Sequence, residues 1–156
     1  MRLLLKDDLP FTTMTIAYQG AVVEVPHVLI DTGSATTIVE TDLVVSIQIV
    51  PLPHDLLKTI RGVGGTEVVF NRTVDYVQVG DCRLPNFSID IGGMDYGFKI
   101  NGILGMDFLM NAGAIINLRE LSIEFANLQV GSFTGVGETV SDLTEPFDEE
   151  WEGEHD

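Results

Sequence analysis

A single cysteine, Cys82, among 156 residues excludes an intrachain disulfide framework and fits a reducing compartment. Lysine and arginine are scarce, 8 in total against 24 aspartates and glutamates. The net charge of −16 repels a phosphate backbone, so no nucleic-acid partner is expected. No run of about 20 apolar residues occurs, so no membrane span is expected. The opening Met1-Arg2-Leu3-Leu4-Leu5 is interrupted by Lys6-Asp7-Asp8, too soon for the apolar stretch of a signal peptide. A cytoplasmic protein is the expectation. Histidines are few and scattered, at 27, 54 and 155, with no His-Glu-x-x-His spacing. No metal site is expected, and Ser34 has no evident histidine base for serine-hydrolase chemistry.

What remains is ordinary globular composition, 45% apolar and 21% charged, with length for one core. The negative charge is uneven. From Gly137 onward there are nine acidic residues and no Lys or Arg. The reading is a domain over 1–130 and an acidic, disordered tail over 131–156. A sharper reading makes that tail a docking segment anchored by Phe147 and Trp151.

The body reads as mostly β. Thr12–Tyr18 and Ala21–Val25 flank a Gln19-Gly20 turn, a hairpin signal. Val28–Ile30 and Thr36–Val39 read as short strands, and Thr41 as the cap of a helical turn. Glu67–Phe70 and Val74–Val79 read as further strands, followed by Leu84–Ile91. One convincing helix spans Asp107 to about Ala112, before a hairpin about Arg119-Glu120. Short strands and one helix predict a small closed or sandwich-like β fold.

The chemistry sits in Asp31-Thr32-Gly33-Ser34. An apolar strand delivers the aspartate into a turn, and Gly33 admits a close approach because it has no Cβ. Thr32 can fix the loop, and Ser34 offers a hydroxyl to the carboxylate. A held carboxylate acts as a general base on water when a second carboxylate about 3 Å away shares its proton. Only one Asp-Thr-Gly is present, so the second would come from another copy of the chain. The tripeptide alone is weak, since its residues favour ordinary turns. Two other features add weight. Gly62-Val63-Gly64-Gly65 lies between β-prone segments and suits a mobile hairpin tip. Ile103-Leu104-Gly105 is an apolar pair and glycine opening the helix.

In this order and spacing the features resemble the retropepsin-like aspartic proteases over about residues 10 to 128, closer to cellular and bacterial members than to viral ones. The resemblance implies a small closed, barrel-like β fold with one short C-terminal helix. It also implies a homodimeric endopeptidase acting on extended peptide or protein segments. Asp31 would be the catalytic aspartate, one from each protomer. Thr32, Gly33 and Ser34 would support its loop. Gly62, Val63, Gly64 and Gly65 would form the flap, and Ile38 would line a substrate pocket. No metal or organic cofactor is required. Viral members carry an acidic residue and an arginine where this chain has Ala35 and Met106, so their dimer-bracing ion network is absent as a unit. The rival reading is a retropepsin-fold dimerisation or peptide-binding module with little or no proteolysis.

Overall fold

The computed structural model describes residues 1–62, 65–94 and 98–126. The flap residues Val63 and Gly64 and the acidic stretch 131–156, with Phe147 and Trp151, lie outside them. The chain is mainly β. Strands β2 (Leu9–Tyr18) and β3 (Ala21–Ile30) form the expected hairpin. Gln19 and Gly20 turn it with φ of 50° and 85°, the left-handed pair such a tight turn demands. Strand β3 does not stop at Pro26. Its register against β2 shifts between Thr12 and Met14, and His27 takes a φ of 55°. The two short strands read from the sequence are therefore one strand carrying a bulge.

A second pair of sequence segments also merges. Glu67–Phe70 and Val74–Val79 belong to one 15-residue strand, β6 (Gly65–Val79). The polar Asn71-Arg72-Thr73 between them stays in the ladder with β7 (Cys82–Gly92). Arg72 is tied to Asp55 at 2.6 Å and lies over the Tyr18 and Phe70 rings. On its other side β6 pairs with β5 (Leu57–Gly62), in register down to Gly62 opposite Gly65. Strand β6 also pairs with β2 through Thr15, Ile16 and Ala17.

The centre of the sheet is non-local. Strand β8 (Gly102–Leu104) lies between β3, to which it is parallel, and β4 (Ile38–Glu40), to which it is antiparallel. Strand β4 then runs parallel to β7. Helix α1 (Thr41–Val44) follows β4 at once. Glu40, not Thr41, holds its cap position, and no side chain caps it. Helix α2 (Met106–Asn111) leads to the hairpin of β9 (Ala114–Asn117) and β10 (Ser122–Phe125). Strand β1 (Leu4–Lys6) edges the sheet against β2.

Two apolar clusters result. The larger contains Phe108, which is fully buried and meets Phe87 and Phe125 edge-on at 5.7 and 6.2 Å between ring centroids. Cys82 belongs to it, and burial pushes its thiol up, consistent with an inert core cysteine. The smaller cluster groups Phe11, Ile38, Met94, Ile100 and Ile103, with Leu29 and Ile60 against it. Among the described residues no helix is long and apolar enough to cross a membrane.

Candidate active site

Asp31 follows the last residue of β3 and is half-buried. Its backbone N–H donates to Leu104 O at 3.1 Å, extending the β3–β8 pairing by one bond. Its Oδ1 accepts the Gly33 N–H at 2.8 Å. A Cβ on Gly33 would stand 3.1 Å from that same oxygen, so glycine lets the amide approach without crowding. Thr32 and Gly33 are exposed at the tip. The Ser34 N–H donates to Asp31 O at 3.2 Å, but the Ser34 hydroxyl does not reach the carboxylate. It donates to Thr36 O at 2.8 Å and tightens the loop from within.

The helix braces this loop. The first N–H groups of a helix have no partners inside it. In α2, Met106 N–H donates to Ser34 O at 2.8 Å and Asp107 N–H to Ala35 O at 3.2 Å. The Asp107 carboxylate reaches back. It accepts the Thr37 N–H at 3.1 Å, the Thr37 hydroxyl at 2.7 Å and the Phe108 N–H at 2.7 Å. The Thr37 hydroxyl in turn accepts the Gly105 N–H at 3.1 Å. Thr37 is fully buried, so each of these bonds is costly to leave unmade. Asp107 read in the sequence only as a helix start. Nothing in its spacing from Thr37 announced the pairing.

This brace occupies the region where Ala35 and Met106 replace the viral acid and arginine. Here the loop is held within one chain, by a carboxylate one residue further along. We predict that Asp107→Ala costs about 2–3 kcal/mol, because Thr37 loses two acceptors in a dry setting. Asp107→Asn, which keeps one acceptor oxygen, should cost less. Denaturant unfolding of the two variants checks the order, and equal midpoints for parent and Asp107→Ala would remove the brace.

The structure also brings together residues far apart in sequence. Ile38 and Ile103 are paired and buried in the smaller cluster, beside Asp31, while Leu104 faces the larger core. Gly62 and Gly65 end the β5–β6 hairpin. His27 and His54 are exposed, and among the described residues no cluster of His, Cys, Asp and Glu is placed to hold a metal.

A mainly β chain that presents an Asp-Thr-Gly loop, braced on an Ile-Leu-Gly helix start, defines an acid-protease type of site. The match to known families agrees. A family model described as aspartyl protease covers residues 14–108, and the chain belongs to that family, of the retropepsin type. The comparison with curated proteins returns no match.

Proposed function

We propose that the protein is a homodimeric aspartic endopeptidase. The observation that carries this reading is a lone Asp31 carboxylate, fixed by the Gly33 amide on a loop whose tip is exposed. One carboxylate makes half of the required pair, and a second copy supplies the other. The two share a proton, bind one water and direct it at a peptide carbonyl. Thr32 from each chain ties the two loops together beneath the pair, and Gly33 meets the substrate backbone. The β5–β6 hairpin, with Gly62 to Gly65 at its tip, closes over an extended peptide that binds partly by main-chain hydrogen bonds. Pairing of β2 with both β3 and β6 supports a barrel-like protomer.

The rival is a dimeric peptide-binding module that cuts nothing. Incubating the full chain with denatured protein between about pH 4 and 7.5 separates them. Cleavage that disappears in Asp31→Ala supports the enzyme. Cleavage that persists in that variant assigns the activity elsewhere, and no cleavage by the parent leaves the binding module.

A further inference from the structure

One row of side chains crosses five strands beside Asp31. Leu29 of β3 is paired with Ile103 of β8, Ile103 with Ile38 of β4, Ile38 with Asp90 of β7, and Asp90 with Asn71 of β6. Cross-strand partners present their side chains on one face, and alternate residues of a strand share it. Asp31 therefore follows Leu29 on the same side. The first three members are apolar and pack together. The fourth is a carboxylate.

Asp90 is 1% exposed, a depth at which carboxylates are rare unless paired. Its Oδ1 accepts the Asn71 amide at 3.1 Å, and its backbone N–H donates to Thr37 O at 3.0 Å. Its Oδ2 has no hydrogen bond among the described residues. Among the described residues its charged partner is the Lys58 ammonium of β5, at 3.1 Å and without hydrogen-bond geometry. The two partners differ in freedom. Asp90 is fixed in the sheet, whereas the Lys58 side chain is 48% exposed on a flexible stem. Two more carboxylates stand near the end of β7. Glu40, opposite Gly92, accepts the Met94 N–H at 2.8 Å, and Glu67 Oε2 lies 3.5 Å from where a Cβ on Gly93 would be.

The geometry points to Asp90 as a specificity-determining residue that favours peptides placing a Lys or Arg side chain on the Ile38 side of Asp31. The inference rests on the protease reading and names its substrate class. Neighbouring strands lie about 4.8 Å apart, so from a position over Ile38 of β4 the carboxylate on β7 is one step away, a step that a Lys or Arg stem covers. Ile38 is itself buried, with Ile60 of β5 packed against its cluster, so the stem enters at the β5 edge beside Ile38 and its head reaches Asp90 by displacing the Lys58 ammonium into solvent. One cation replaces another, so the buried carboxylate is never left unpaired. A substrate carboxylate at that place meets Asp90, Glu40 and Glu67 and is rejected. An apolar side chain fits the row but gains no contact at its end.

The test uses the full-length chain and peptides that differ at one position, carrying Lys, Met or Glu. The parent should cut the Lys peptide with kcat/KM about tenfold or more above the Met peptide, and the Glu peptide least. The double variant Lys58→Met/Asp90→Leu replaces the buried carboxylate and its half-exposed partner with apolar groups of similar volume and should keep its fold. Its Lys preference should vanish. The same Lys-to-Met ratio in parent and double variant overturns the inference while leaving the protease reading intact. Binding of the same peptides to Asp31→Asn chains, read by fluorescence anisotropy, tests selection without cleavage. If the parent cuts nothing, Asp90-dependent tighter binding of the Lys peptide sustains the inference while the protease reading falls. Binding without that preference overturns the inference as well.

Discussion

Parent chains mixed with an excess of Asp31→Asn chains are expected to lose activity as the square of the parent fraction. The reason is stoichiometric. A chain with one Asp-Thr-Gly supplies one carboxylate, so a heterodimer carries an aspartate facing an amide that cannot serve as a base. Such a site lacks general acid–base catalysis, worth on the order of 100- to 10,000-fold in rate. The Asn variant keeps the shape of the loop and removes repulsion between two facing carboxylates, so dimers should form at least as readily. With free exchange, only parent homodimers contribute to the measured rate. Size measurements on the mixture verify exchange, and cleavage of a fluorogenic peptide gives the law. A linear fall would mean that each chain holds a complete site, and the dimeric mechanism would be wrong.

The second large effect is expected at Gly105. Its φ of −96° is open to any residue, so the glycine is not there for backbone freedom. It is there for space. A Cβ would stand 2.3 Å from Thr36 O and 2.9 Å from Ser34 O, both of them backbone atoms of the loop that follows Asp31. Neither can turn aside as a side chain could. Gly105→Ala must push that loop off α2, disturbing the bonds from Met106 and Asp107 to it together with the Thr37 contacts. Overpacking against rigid neighbours costs about 3 kcal/mol or more, roughly 10 °C in Tm for a domain of this size. Peptide cleavage should fall as well, because the displaced segment is bonded to Asp31 through the Ser34 N–H. A variant with parental Tm and parental kcat/KM would show that the loop does not rest on this glycine.

Much of this was legible in the sequence because it is local. Gln19-Gly20 announces its hairpin through turn chemistry, α2 shows itself after Ile103-Leu104-Gly105, and Asp31 stands out by following an apolar run. What was not legible is set by partners far along the chain. Pro26-His27 looks like a break until β2 is beside it, and Asn71-Arg72-Thr73 looks like a loop until Asp55, Asp90 and two aromatic rings receive its side chains. Ser34 was expected to serve the carboxylate because it is adjacent, but Thr36 O lies closer to hand within the loop. Thr37 and Asp90 carry no signature at all, since a buried polar residue looks like a surface one until its neighbours are known, and Asp107 carries only that of a helix start.

The position of β8 has a consequence in time. It fills the slot between β3 and β4, and Thr37 takes its carboxylate from a residue 70 positions downstream. Until that downstream stretch has been synthesised, β3 and β4 present unpaired edges to one another and the Asp31 amide has no carbonyl to bind. Contacts separated this widely form late, because the entropy of closing the intervening chain has to be overcome first. A chain emerging from the ribosome therefore displays its Asp-Thr-Gly long before the loop can hold its shape. In the newborn polypeptide that aspartate is set in place only when the strand and helix near residue 105 arrive.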